Sequence, residues 1–153
     1  MKGTFEVNSV EETWEVARAL ARELKPGDVV CLEGDLGAGK TTFTQGLAAA
    51  LGVAGRVTSP TFCLVQEHRA LAAAGGGRPV FLVHMDLYRL AGEEDVLAIG
   101  WEDYLAEGAV LVVEWPERAG SLIPGGAWRL AFRLTGDDAR RIIVIDNGPR
   151  KSV

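Results

Sequence analysis

A length of 153 residues suits a single domain, residues 1–153, with a real core; 48% apolar and 24% charged residues are those of an ordinary globular chain. The formal net charge of −5 gives no footprint for unaided nucleic-acid binding, though it leaves room for a role in RNA metabolism through a protein partner. No stretch is long and apolar enough to span a membrane, and Met1–Glu6 lacks the apolar core of a signal peptide, so a cytoplasmic protein is expected. Cys31 and Cys63 have neither metal-ligand spacing nor the numbers for a disulfide framework, and read as buried thiols.

Phe5-Glu6-Val7 suggests a short first strand. Ser9-Val10-Glu11-Glu12 is a capping box, opening a helix whose inward face is expected to carry Val10, Trp14, Ala17, Ala21 and Leu24. Pro26-Gly27 ends that helix, and Asp28–Glu33 reads as a buried strand. Next comes Gly34-Asp35-Leu36-Gly37-Ala38-Gly39-Lys40-Thr41, which fits G-x-x-x-x-G-K-[ST] at every position and leads into a helix from Thr41 to Leu51 closed by Gly52. The chemistry requires this layout. Glycines let backbone N–H groups close round a β-phosphate, and the helix N-terminus adds a favourable dipole. The Lys40 ammonium can reach β- and γ-phosphates, and the Thr41 hydroxyl can hold Mg²⁺.

Capping accounts for Ser9; the alternative is that Ser9 or Thr13 places a hydroxyl near the nucleotide. Thr58-Ser59-Pro60-Thr61-Phe62 reads equally as a switch segment sensing γ-phosphate and metal or as a turn into the extended run Cys63–Glu67. Leu71–Arg78 is an Ala/Gly-rich hairpin loop, and Val80–Met85 is an apolar strand ending at Asp86. Leu87–Leu90, a short acidic helix over Glu93–Ile99 and a helical turn over Trp101–Leu105 follow. Ala109–Val113 is a strongly apolar strand ending at Glu114-Trp115-Pro116. Trp128–Leu134 and Arg140–Asp146, joined by Thr135-Gly136-Asp137-Asp138, read as an antiparallel hairpin before a polar tail from Asn147. The order implies an α/β, P-loop NTPase-like three-layer fold: a mixed sheet with a parallel centre and a C-terminal antiparallel hairpin.

A phosphate loop needs an acid at the end of a neighbouring strand to serve Mg²⁺. Asp86 and Glu114 both qualify; one would bear on the metal and the other on the attacking water, and sequence does not divide the roles. His84 shares a side of its strand with Asp86; packing is the plainer reading and a proton shuttle the sharper one. Trp115, beside Glu114, is expected near the nucleotide, the other tryptophans in the core or an interface. Arg89, Arg140 and Arg141 are candidates for phosphate or a partner, with a solvated face as the plainer reading.

Four stretches in order, Gly34–Thr42, Thr58–Phe62, His84-Met85-Asp86-Leu87-Tyr88-Arg89-Leu90 and Val113-Glu114-Trp115-Pro116, resemble the TsaE (YjeE) family over nearly the whole chain from Ser9. The resemblance implies an ATP- and Mg²⁺-binding protein with weak intrinsic hydrolysis. Such proteins act on a complex of TsaD and TsaB that forms threonylcarbamoyladenosine at position 37 of tRNA, resetting it between turnovers. It implies catalytic roles for Lys40, Asp86 and Glu114, and metal ligation by Thr41, Glu114 and Asp86. Nucleotide contacts are implied from Thr13, Asp35, Leu36, Gly37, Ala38, Gly39, Lys40, Thr41, Thr42, Thr61 and Trp115. The Thr58–Phe62 and Asp86–Leu90 stretches would face TsaD. Phe62 stands where tyrosine is common in the family.

Rival classes are weaker. A metabolite kinase needs a basic lid, and Ala72–Arg78 offers a single arginine. A guanine reader would carry [NT]-K-x-D, and Lys2, Lys25, Lys40 and Lys151 all lie outside that pattern. A non-enzymatic nucleotide-responsive binding module is the third class.

Overall fold

The computed structural model describes residues 1–34, 37–53, 64–69, 81–135 and 140–147. In chain order these form β1 (Gly3–Val7), α1 (Val10–Ala21), β2 (Val29–Gly34), α2 (Lys40–Ala50), β3 (Val65–Arg69) and β4 (Phe81–Asp86). Then come α3 (Glu93–Ala98), α4 (Trp101–Ala106), β5 (Val110–Glu114), a 3-10 segment (Pro116–Leu122), β6 (Trp128–Thr135) and β7 (Arg140–Asn147). The start of α1 is set by its cap: Ser9 Oγ accepts the Glu12 N–H at 3.1 Å. The Glu12 carboxylate reaches one residue behind the cap, accepting the Asn8 N–H at 2.6 Å.

Seven strands make one sheet in the order β1-β7-β6-β2-β5-β4-β3. The central neighbours β6-β2, β2-β5 and β5-β4 run parallel, while β1-β7, β7-β6 and β4-β3 are antiparallel. This is the expected mixed α/β sheet with a parallel centre. The C-terminal hairpin does more than decorate its edge, because β6 lies directly beside β2, with Gly34 opposite Phe132. The N-terminal end of β7 therefore returns to the same end of the sheet as the phosphate loop.

Strand alternation divides the core into two layers. Val30, Leu32, Leu82, Val112, Leu130 and Ile143 pack with Ala17 and Leu20 of α1 and Phe43 and Leu47 of α2. Val29, Cys31, Val83, Met85, Leu111 and Val113 pack on the other side with Val96 of α3 and Trp101 of α4. Strands covered on both faces have no polar face to show, so β2, β4 and β5 read as nearly continuous apolar runs.

The inward face of α1 differs from expectation by one position. Thr13, Ala17 and Leu20 are buried, whereas Trp14 is 40% and Val10 43% exposed. An indole N–H needs an acceptor, and Trp14 Nε1 finds one at the Thr42 carbonyl, 3.1 Å away on α2. Its ring lies over Gly46, where a Cβ would stand 2.6 Å from Trp14 Cδ1. Trp101 and Trp128 are core residues as expected. β3 begins at Val65, later than the Cys63–Glu67 run suggested, and Pro116–Leu122 adds a helical segment that no periodicity announced. Cys63, the Thr58–Phe62 loop, the Leu71–Arg78 insertion, Gly136-Asp137-Asp138 and the tail from Gly148 lie outside the described residues. Among the described residues no helix is long and apolar enough to cross a membrane.

Candidate functional site

Three parallel strands, β2, β5 and β4, bring Gly34, Glu114 and Asp86 to one end of the sheet. At Gly34 the backbone has φ 139°, and a Cβ there would stand 2.4 Å from the Phe132 carbonyl oxygen. No side chain fits between β2 and β6 at that point. Gly34→Ala is therefore expected to cost on the order of 1–3 kcal/mol of stability. Urea denaturation checks this; an unchanged midpoint would show that the strands part freely.

The loop re-enters the described residues at Gly37, and Gly39 is the N-cap of α2, in the left-handed region at φ 104° with no side-chain cap. An uncapped first turn leaves its N–H groups to an outside acceptor, which suits an anion. Ala38 is fully buried, and Lys40, Thr41 and Thr42 form the first turn of α2. The Lys40 ammonium donates to the Gly34 carbonyl at 2.9 Å and lies 3.6 Å from Glu114 Oε1. Asp35 and Leu36 lie outside the described residues, as does Thr61.

Glu114 is 7% exposed, and its other oxygen, Oε2, is 2.8 Å from Nε2 of the wholly buried His84. Burial pushes the Glu114 carboxyl up. The His84 hydrogen bond and charge, with the charge and hydrogen bond of Lys40, outweigh that push and leave it below the ordinary carboxylate range. Asp86 sits opposite Glu114 in register and is half-buried, and its Oδ1 accepts the Tyr88 N–H at 3.0 Å.

Trp115 is the non-glycine residue with positive φ among the described residues (φ 58°, ψ 52°), and it precedes Pro116. Such a residue is strained by roughly 1–3 kcal/mol, and the residue before a proline more so. Its ring, 41% exposed, meets the 55% exposed Tyr88 ring at a centroid distance of 4.8 Å. Gly34, Lys40, Trp115 and Glu117 line a cleft of about 340 Å³. Thr13 is buried, with its hydroxyl donating to the Ser9 carbonyl at 3.2 Å, which commits its proton within α1.

Two residues make contacts that their sequence readings do not specify. His84, for which packing is the plainer reading and a proton shuttle the sharper one, bonds to Glu114. Arg141, one of three arginines considered together, reaches the loop from β7: Nη2 donates to the Gly37 carbonyl at 3.4 Å, and Cδ is 3.3 Å from where a Gly39 Cβ would stand. Only the sheet order reveals that contact. Arg89 is exposed on the turn after β4, and Arg140 opens β7.

The donor set fits Mg²⁺. A hydroxyl on the first turn of α2 and carboxylates at two adjacent strand ends are hard oxygen ligands. Among the described residues no group of three or more His, Cys, Asp or Glu side chains forms a metal cage. Mg²⁺ commonly binds through one or two carboxylates together with substrate phosphates.

A family model for threonylcarbamoyl adenosine biosynthesis protein TsaE matches residues 7–143. The tRNA threonylcarbamoyladenosine biosynthesis protein TsaE of Bacillus subtilis is 40% identical over 140 residues, covering 92% of this chain and 83% of that protein. The protein of the same name from Streptomyces coelicolor is 43% identical over 142 residues, covering 89% and 91%. The crystal structure of Bacillus subtilis YdiB superposes with a TM-score of 0.72 at 34% identity, covering 97% of this chain and 87% of that one.

Proposed function

The chain belongs to the TsaE family, and from that premise we propose that it is a Mg²⁺-dependent ATPase of tRNA threonylcarbamoyladenosine formation, with weak activity of its own. It acts in the cytoplasm with TsaD and TsaB, resetting their complex between turnovers and meeting tRNA only through it. The observation that supports this reading most directly is the convergence of Lys40 and Glu114 on the uncapped N-terminus of α2.

With nucleotide in place, the Gly37–Gly39 backbone and the first turn of α2 cradle the phosphates, and Lys40 transfers its hydrogen bonds from Gly34 to the β- and γ-phosphates. Thr41 and Glu114 would hold Mg²⁺, which would supply neutralising charge to the phosphate oxygens. Asp86 orients the attacking water or shares the metal, on the same sheet face as Glu114. Asp35, Leu36, Thr42, Thr61 and Thr13 complete the nucleotide contacts. Arg141 braces the loop by its outer carbonyl. Weak activity follows if the charge that stabilises the transition state is incomplete until a partner docks, since a supplied arginine can be worth ~10³–10⁵ in rate. The exposed Tyr88–Trp115 pair, of which Trp115 lines the cleft, offers aromatic area of the kind that anchors protein interfaces. It is the face we assign to TsaD, with Asp86–Leu90.

The test is ATP turnover by the purified protein with and without purified TsaD–TsaB. Slow hydrolysis alone and stimulation by the complex are expected. Failure both to associate with the complex and to respond to it would contradict the proposal.

A further inference from the structure

A buried polar ring in a packed strand requires a reason, because an unpaired imidazole costs more than an aliphatic side chain of similar size. His84 is 0% exposed and lies on β4 between the core residues Val83 and Met85, opposite Val112 of β5. Among the described residues its Nδ1 has no hydrogen-bond partner. Its Nε2 lies 2.8 Å from Glu114 Oε2. The interaction that compensates for burying this ring is therefore the one to Glu114. Leucine or valine would otherwise suit the site and would leave no orphan nitrogen.

That contact has a geometric consequence. A carboxylate held by a single lysine can rotate and present either oxygen. Here His84 engages Oε2, and Oε1 is the atom turned toward the Lys40 ammonium at 3.6 Å. The imidazole needs its proton on Nε2 to donate, and the strand register holds the ring in place from the side away from the phosphate loop. We propose that His84 is the positioning residue for Glu114, reserving Oε2 for itself so that Oε1 alone faces the metal. This inference rests on the reading of Glu114 as a metal-side carboxylate. Partners one step behind a metal ligand fix its orientation, and losing one typically costs ~10–100-fold in metal affinity or activity.

The experiment compares wild type, His84→Leu, His84→Gln and Glu114→Gln by equilibrium binding of a fluorescent ATP analogue, first in EDTA and then across a Mg²⁺ titration. His84→Leu is expected to bind the metal-free nucleotide within about 3-fold of wild type and to need about 10–100-fold more Mg²⁺ for half its effect. His84→Gln, whose amide can donate to Oε2, is expected to recover most of that shift. A purely structural histidine gives a different pattern, with both variants losing metal-free affinity and thermal stability while the Mg²⁺ midpoint stays at the wild-type value. That result overturns the proposal. If Glu114→Gln leaves the Mg²⁺ midpoint unchanged, the premise falls and the inference with it. If Glu114→Gln shifts the midpoint and His84→Leu does not, only the positioning role is lost. Should His84→Leu fail to fold, ¹⁵N NMR of the metal-free wild type decides: a proton on Nε2 whose signal moves in Glu114→Gln is expected, and an unprotonated Nε2 refutes the contact.

Discussion

Replacing Lys40 with alanine is expected to abolish measurable ATP turnover and to weaken nucleotide binding by about 10²-fold or more, since each charge-assisted hydrogen bond lost is worth ~1.5–3 kcal/mol. Lys40 stands on the first turn of α2, where the helix dipole favours an anion, so its ammonium would add to the positive charge that attracts phosphate. It now spans Gly34 and Glu114, at 2.9 and 3.6 Å. The substitution therefore has a second effect within the folded chain. Glu114 keeps its burial but loses the Lys40 charge and hydrogen bond that help hold its carboxyl down, so its pKa is expected to rise. Lys40→Met, which keeps the apolar stem, separates packing from charge. Nucleotide titration and steady-state turnover check the prediction, and unchanged turnover in purified Lys40→Ala protein would refute the mechanism.

Glu114→Gln is expected to spare nucleotide binding in EDTA and to reduce Mg²⁺-dependent hydrolysis by about 10²–10³-fold, the scale of losing one preorganised electrostatic group in an active site. An amide keeps the size of the carboxylate and can still meet His84, but it offers the metal a neutral oxygen. The same variant reads out in stability. The Glu114 carboxyl titrates below its ordinary value in the folded protein, so its contribution is present above the unfolded value of about 4.3–4.5 and is lost as pH falls through the lower, folded one. Acidification below about pH 4.5 should thus destabilise wild type more than Glu114→Gln. Urea midpoints at neutral pH and at successively lower pH measure the difference; parallel losses in the two proteins would show that the carboxylate is not held down in the fold.

Local chemistry was legible in the sequence, and long-range registry was not. The phosphate loop depends on residues within one turn of chain, and its spacing put the helix start at Thr41, one residue after the observed start at Lys40 with Gly39 as N-cap. The placement of Asp86 and Glu114 at strand ends was legible because each follows a nearly continuous apolar run, and parallel pairing sets them opposite each other. The parts that escaped depend on which strand lies next to which. His84 acquires its meaning from the register of β4 on β5, and Arg141 from the order β7-β6-β2, in which β6 pairs with β2 and β7 with β6. Trp14 was assigned inward because helical periodicity counts apolar area and ignores the indole N–H, which the Thr42 carbonyl satisfies at the edge of the α1–α2 contact. The left-handed backbone at Trp115 contradicts the extended conformation that a following proline favours, so a propensity argument points away from it.

The central claim is that ATP hydrolysis at Lys40 and Glu114 resets a partner complex. Its most direct measurement is the yield of threonylcarbamoyladenosine per TsaD–TsaB complex, with excess tRNA, when this protein or its Glu114→Gln variant is added. Wild type is expected to carry the reaction through many turnovers, and the variant, binding ATP but not hydrolysing it, to stop near one. Equal multiple-turnover yields with the two proteins would contradict the account and leave nucleotide binding, not hydrolysis, as the act that matters.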